Sequence, residues 1–359
     1  MKKYMSVYEK MKKEIVEGVY KKNMKLPSKR TLSDELGVSL VTVEHAYDLL
    51  NEEGYIDSKE KSGYFVAYEH GNYFGDVFSE DEESDFSNNT GKIDKNEKYK
   101  FDSENYLSSD IYAKTVRRVL SFCPEEVLIK SPSFGNEKLR KSIRDYLKRS
   151  RGINVDTKQI IIGAGAEYLY GLIVKTLGNE TVFGIETPGY RKIKEVYETE
   201  GGKTETLTLG KDGIKSTELA NTKAKVLHVT PFRSFPTGVS ASAGKKMEYI
   251  LWAKKNDGII VEDDYESEYT PSKKNVDTIF SMDKEGRVIY INTFTRTIAP
   301  SVRMAYMLIP ENMIDLFKKK IGIYSCPVAT LEQLTVSFLL DGGDFERHIN
   351  KVRRKIRNN

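Results

Sequence analysis

Cysteine is nearly absent from this chain of 359 residues: Cys123 and Cys326 are the only two. Two thiols so far apart exclude a disulfide framework. They also argue against a cysteine-based zinc site and fit a reducing compartment. Long apolar runs are missing as well, and no stretch approaches the roughly 18 apolar residues of a membrane span. The opening MKKYMSVYEKMKKEI alternates charged with apolar residues, so no secretory signal is visible. Neither sign of charge is in excess. The 57 Lys and Arg against 53 Asp and Glu leave a formal net charge of +4, too little in a chain this long to point to nucleic acid by itself. With 10 Pro and 26 Gly, the chain is not collagen-like or of low complexity. What remains is globular material, 39% hydrophobic and 31% charged, at a length suited to about two domains. The expectation is a cytoplasmic, two-domain protein without a membrane partner.

Composition changes twice along the chain. Residues 1–68 read as short helices followed by a hairpin. Residues 69–104 hold eleven acidic residues against four lysines, and few apolar ones. Such a segment cannot bury enough to order itself, so it reads as an acidic linker extended by self-repulsion. Residues 105–359 form the second region. Within it, helical patterns alternate with short β-rich runs at 159–162, 182–185, 226–229, 258–261, 288–291 and 304–308. That alternation predicts an α/β domain on a mainly parallel sheet, an α/β/α sandwich. No internal repeat is visible.

In the first region Tyr4, Tyr8, Met11 and Ile15 share one helix face. Ser28 caps a second helix whose buried side is Leu32 and Leu36. Gly37 permits the left-handed turn that follows. Ser39 caps a third helix carrying the stripe Val43, Ala46, Tyr47 and Leu50. Two β runs joined across Lys59–Gly63 complete a helix-turn-helix with a wing. The same elements would serve a small helical interaction module. Charge leans that way: residues 31–57 hold seven acids and no Lys or Arg, whereas phosphate neutralisation supplies much of DNA affinity.

The order of motifs is more specific than the charge. Leu26-Pro27-Ser28-Lys29-Arg30-Thr31-Leu32-Ser33, then Leu36-Gly37-Val38-Ser39 with Thr42-Val43, then Ala46-Tyr47 with Leu50 and Glu53-Gly54-Tyr55, then Ser62-Gly63-Tyr64-Phe65-Val66-Ala67 resemble the DNA-binding domain of the GntR superfamily. The resemblance implies binding to double-stranded operator DNA through Arg30, Ser39, Val41, Thr42, His45, Lys59, Lys61 and Gly63. Two positions depart from the family. Leu40 stands where Arg is usual, and Lys61 stands at a wing tip that is usually Gly. Losing one bidentate Arg removes about 1–3 kcal/mol of base discrimination. For His45 a base contact and a plain solvated imidazole are both open.

In the second region an apolar strand, Ile160-Ile161-Ile162, runs into Gly163-Ala164-Gly165-Ala166-Glu167 and a helix, where backbone N–H groups form an anion site. Thr187-Pro188-Gly189-Tyr190, Thr230 to Gly238, Glu262-Asp263-Asp264-Tyr265 and Thr293 to Arg303 follow later strands. Loops at the C-terminal ends of parallel strands are where such sheets bind ligands. Glu262, Asp263, Asp264 and Glu266 also admit a metal site, but no His or Cys adjoins them in sequence.

In this order the motifs resemble fold-type I pyridoxal-phosphate aminotransferases. With the first region, the whole chain resembles a MocR-like member of the GntR superfamily. The resemblance implies pyridoxal phosphate as cofactor. Gly165 and Ala166 would offer N–H groups to its phosphate, and Tyr190 would lie over the ring. Asp263 would pair with the ring nitrogen and Tyr265 with the phenolic oxygen. Thr293, Thr295 and Arg303 would complete the phosphate cup. Arg296 departs from the pattern, because the family carries there the lysine that links to the cofactor. Guanidinium keeps its proton and delocalises its lone pairs, so covalent attachment is not expected. Arg233-Ser234 also replaces the usual His-Gln. The ending resembles the helix leading into the family's C-terminal small domain, which this sequence is expected to lack.

Three readings of the second domain stay open: noncovalent pyridoxal phosphate, another anion held by Arg296 and Arg303, or a degenerate scaffold in which Arg296 pairs with Asp263. The basic tail, with Arg347, Lys351, Arg354 and Lys355 at helical spacing, is most simply a solvated face. The favoured function is a homodimeric transcriptional regulator with a small-molecule effector and no catalytic or metal-ligating residues. The alternative is an aminotransferase with an accessory helical domain, and a third is a remnant that neither switches nor catalyses.

Overall fold

The structure, a computed structural model, describes residues 3–16, 18–21, 23–52, 55–59, 62–66, 105–270 and 277–358. The acidic segment 69–104 and Lys61 lie outside the described residues. The chain divides into two compact units, Met1–Asn105 and Tyr106–Asn359.

The first unit contains helices α1 (Lys3–Val16), α2 (Lys29–Leu36) and α3 (Leu40–Glu52), then strands β1 (Ile56–Lys59) and β2 (Gly63–Val66). Its core follows the apolar spacing of the sequence. Tyr8, Met11 and Ile15 of α1 meet Leu32 of α2 and Val43, Ala46, Tyr47 and Leu50 of α3. Val7 joins this core, while Tyr4 stays half-buried and sets its ring edge-on to His45 at 5.9 Å. The Ser28 hydroxyl accepts from the Thr31 N–H at 3.0 Å, and Gly37 ends α2 at φ 62°. The wing is an antiparallel hairpin with Lys59 opposite Gly63.

The second unit is a three-layer α/β/α sandwich. Its strands are β3 (Ile160–Gly163), β4 (Val182–Thr187), β5 (Lys203–Gly210), β6 (Gly213–Ile214), β7 (Val226–Val229), β8 (Ile259–Asp263), β9 (Val288–Thr293) and β10 (Ala305–Leu308). They form one eight-stranded sheet in the order β3-β10-β9-β8-β7-β4-β5-β6. The pairs from β9 through β5 are parallel, β10 runs against both neighbours, and β6 runs against β5. The helices are α4 (Ser109–Phe122), α5 (Glu137–Arg151), α6 (Ala166–Leu177), α7 (Arg191–Thr199), α8 (Ser216–Asn221), α9 (Ala243–Asn256), α10 (Ile279–Met282), α11 (Ile314–Ile321), α12 (Thr330–Asp341) and α13 (Asp344–Asn358). Helices α6, α7 and α11 bury Tyr170, Ile173, Ile193, Tyr197 and Phe317 against one sheet face. Helices α5, α12 and α13 cover the other face through Leu139, Ile143, Val336, Leu339 and Phe345. Helix α9 covers its far end with Tyr249, Trp252 and Ala253. Strand β7 is buried on both sides, as a strand covered by two layers is, and only His228 interrupts its apolar run.

All six β-rich runs expected from sequence are strands. Strands β5 and β6 were not expected. Lys203–Gly210 alternates polar residues with little apolar weight, and its strand state comes from pairing with β4 over six register pairs.

Candidate functional site

Strands β3, β4, β7, β8 and β9 end on one edge of the sheet. There Ala305 pairs with both Gly163 and Thr293, which draws the Gly163–Ala166 turn, the 293–296 loop and Arg303 together. Asp263 pairs with Ile291 on the next strand, one step deeper. The order of the strands thus assembles residues more than a hundred positions apart.

Asp263 is buried at the end of β8. Its Oδ2 accepts from the Tyr170 hydroxyl of α6 and lies 3.5 Å from His228 Nε2 of β7. His228 Nδ1 in turn is 2.7 Å from the Tyr197 hydroxyl of α7. Burial and the adjacent Asp263 charge push the Tyr170 hydroxyl well above its ordinary pKa, so it stays a donor. Asp263 Oδ1 is buried with no hydrogen-bond partner among the described residues. Tyr170, Tyr197 and His228 were not anticipated. The available signal was a lone histidine within the apolar run Val226–Val229, and a helical tyrosine cannot be assigned to a distant carboxylate without the fold.

The other carboxylates around the end of β8 point to different partners. Glu262 accepts two backbone N–H groups at the start of α10, from Ile279 and Phe280, each at 2.8 Å. Burial, reinforced by the Asp264 charge, raises its pKa to about 7. Asp264 accepts from Tyr290 at 2.8 Å and lies 3.2 Å from the buried Arg151 guanidinium, which also faces Glu268 at 3.4 Å. Glu266 binds Arg296 at 2.7 Å. This last pair differs from the one named in the third of the open readings, in which Arg296 pairs with Asp263. The strand pleat turns Asp263 inward, and the loop beyond it brings Glu266 to the guanidinium instead. The Arg296 guanidinium also lies 5.8 Å from the Tyr265 ring centre. The Tyr265 hydroxyl donates to the Arg233 carbonyl at 2.9 Å, and Arg233 itself holds φ 50°.

At the start of α6, Gly165 has φ 92° and ψ 167°. That positive φ favours glycine, and a Cβ there would sit 2.9 Å from Arg303 Nη2, the movable end of its side chain. The Gly165 N–H donates to the Gly163 carbonyl at 2.9 Å, which leaves Ala166 to begin the row of helix N-terminal donors. Glu167 accepts from Arg303 at 2.8 Å and from Lys192 at 3.1 Å. Thr293 donates to the Met304 carbonyl at 3.3 Å, and Thr295 to the Val302 carbonyl at 3.2 Å, so both hydroxyls brace this loop. Tyr190, at the start of α7, faces the Phe235 ring edge-on at 6.4 Å. Half-buried Glu186 accepts from Ser234 at 2.7 Å. Burial outweighs that hydrogen bond, and the Asp263 charge adds to it, raising the pKa to about 7.

In the first unit Arg30 is exposed at the start of α2, and Ser39, Val41 and His45 are exposed on the N-terminal half of α3, with Thr42 half-buried among them. Ser39 and Thr42 share a hydroxyl contact of 2.8 Å. Lys29, by contrast, is tied to Glu44 at 2.6 Å and lies over the Tyr64 ring, so it fastens α2 to α3 and the wing. Lys59 sits 4.7 Å from the Phe65 ring centre, and Gly63 holds φ 106° at the wing turn.

Comparison with known proteins places both units. Residues 3–66 match the family described as bacterial regulatory proteins, gntR family, and residues 97–359 match aminotransferase class I and II. An uncharacterized HTH-type transcriptional regulator, YdeL of Bacillus subtilis, is 29% identical over 99% of this chain and 76% of its own length. The probable rhizopine catabolism regulatory protein MocR of Rhizobium meliloti is 26% identical over 98% of this chain and 74% of its own. A kynurenine aminotransferase from Pyrococcus horikoshii shares the fold with a TM-score of 0.63 at 23% identity, over 70% of this chain and 64% of that structure. The chain thus spans about three-quarters of these curated relatives and less than two-thirds of the solved aminotransferase. It belongs to the aminotransferase class I and II family through its larger unit, and it carries a gntR-family helix-turn-helix at residues 3–66, the pairing of the MocR-like regulators.

Proposed function

We propose that this chain is a DNA-binding transcriptional regulator whose aminotransferase-like unit binds pyridoxal phosphate, or a related phosphorylated pyridine, without covalent attachment and without transamination. The reading is carried by Arg296, which we place at the lysine of the family pattern and which is ion-paired to Glu266 at 2.7 Å. A guanidinium has no amine that can lose a proton, so it cannot become the covalent link. It can still shape the site as a fixed charge.

Two features support the fit of the cofactor. The Asp263 carboxylate accepts from Tyr170, lies 3.5 Å from His228 Nε2, and keeps one buried oxygen unpartnered among the described residues, a suitable acceptor for a pyridine N–H. The turn at Gly165 is kept open beside Arg303 at the N-terminus of α6, where backbone donors favour a phosphate. When bound, pyridoxal phosphate supplies an electron-withdrawing ring and a dianionic phosphate. In this reading Asp263 receives the ring nitrogen, Tyr190 lies against the ring, and Tyr265 faces the phenolic oxygen. Ala166 and Arg303 hold the phosphate, with Gly165 leaving room for it, and Thr293 and Thr295 join them by turning their hydroxyls from the Met304 and Val302 carbonyls. On the DNA side Arg30, Ser39, Val41, Thr42, His45, Lys59 and Gly63 form the contact surface, with Lys61, outside the described residues, assigned from the sequence alone. Two copies of the chain would match a two-fold operator in the cytoplasm.

Titration of the purified chain with pyridoxal phosphate tests the reading, followed by absorbance and thermal shift. The expected result is saturable binding with a raised melting temperature and a cofactor that dialysis removes after borohydride treatment. A cofactor fixed to the chain by borohydride, or measurable amino-group transfer, would overturn it.

A further inference from the structure

We infer that the N-terminal turn of α3 reads thymine through its C5-methyl group, so that the operator half-site has an A·T pair where Leu40 and Val41 meet the major groove. The inference rests on the DNA-binding reading above and deepens it by naming the base class. Leu40 and Val41 are 50% and 57% exposed, although both are large and apolar. They do not belong to the core of the first unit, which takes Val43, Ala46, Tyr47 and Leu50 from the same helix. They lie beside Ser39 and Thr42, whose hydroxyls are 2.8 Å apart and exposed. Helix α3 carries no Lys or Arg. Its Glu44 is neutralised by Lys29 at 2.6 Å.

Base chemistry then narrows the choice. Guanine presents two acceptors in the major groove, N7 and O6, and is read best by a bidentate cation. This helix offers none at its tip. Adenine is read by Asn or Gln through paired donor and acceptor groups, and α3 begins with neither. Thymine alone presents a methyl group, and an aliphatic side chain is its natural contact. Positive charge for the phosphates comes from outside the helix, from exposed Arg30 and from Lys59 on the wing.

The test uses the full chain. Selection from random duplexes first yields its preferred site, and each thymine of a half-site is then replaced singly by deoxyuridine, which removes only the methyl. At one or two positions the expected loss is about three- to fivefold in affinity, the worth of one buried methyl. Leu40→Ala or Val41→Ala should abolish that difference, and Leu40→Arg should move the preferred base at that position toward guanine. Both side chains are exposed, so the variants should fold. A preferred site bound equally well with thymine and deoxyuridine throughout would overturn the inference, leave DNA binding intact and assign the apolar pair to a protein contact. Sensitivity to deoxyuridine that persists unchanged in both alanine variants would overturn it too. Failure to select any preferred site would overturn the DNA-binding reading and the inference together.

Discussion

At the scale of single residues, charge placement around the sheet edge decides what the site can hold. Arg296 donates to Glu266, and Arg303 and Lys192 both reach Glu167. Glu167 therefore acts as an internal counter-ion at the helix start where a phosphate would bind. Glu167→Gln should tighten pyridoxal phosphate binding by about two- to fivefold, the worth of one half-exposed charge contact, as read by absorbance titration. No tightening would mean that Arg303 is not a phosphate ligand. Arg296→Lys supplies an amine in the same seat. Borohydride should fix the cofactor to this variant and not to the parent, a difference visible by mass spectrometry. Absence of fixation in the variant would show that position 296 does not face the ring.

At the scale of elements, short polar contacts set how helices begin. Ser28 caps α2 by accepting from Thr31. Ser28→Ala should cost about 1 kcal/mol of stability in the first unit, measured by thermal unfolding. The short helix α10 has a similar cap, Thr278 accepting from the Ser281 N–H at 3.0 Å, and adds the buried carboxylate of Glu262, which accepts from Ile279 and Phe280. Burial raises the Glu262 pKa from 4.5 to about 7. The folded state therefore holds a proton that the unfolded state releases. The stability this contributes is full below about pH 4.5 and is lost as pH rises toward 7. Glu262→Gln should flatten that part of the stability profile of the second unit between pH 4.5 and 7. An unchanged slope would place the titration elsewhere, with Glu186 the next group to test.

At the scale of the molecule, each unit has a core of its own. Tyr47, Met11 and Leu50 anchor the first, and the large clusters on the two faces of the sheet anchor the second. Calorimetry should resolve two transitions. Pyridoxal phosphate should raise only that of the second unit, by about 2.7 kcal/mol at a hundredfold excess over Kd. A rise in both transitions would show that the cofactor couples the units, and a rise in neither would argue against binding.

Much of this was readable in the residue order. Spacing of Tyr8, Met11 and Ile15, and of Val43, Ala46, Tyr47 and Leu50, specified the helical core of the first unit, because a helix face repeats every three to four residues whatever surrounds it. The β-rich runs marked six strands of the sheet. Chemistry alone speaks against a covalent link at Arg296, because a guanidinium keeps its proton. What tertiary structure decided was pairing. Strand β5 exists because β4 offers it hydrogen bonds. Tyr170 and His228 meet Asp263 because α6 and β7 converge on the end of β8. Arg296 turns to Glu266, and the four carboxylates at and beyond the end of β8 part toward four different partners. Local periodicity depends on near neighbours along the chain, whereas the partner of a charged group depends on which distant strand lies beside it.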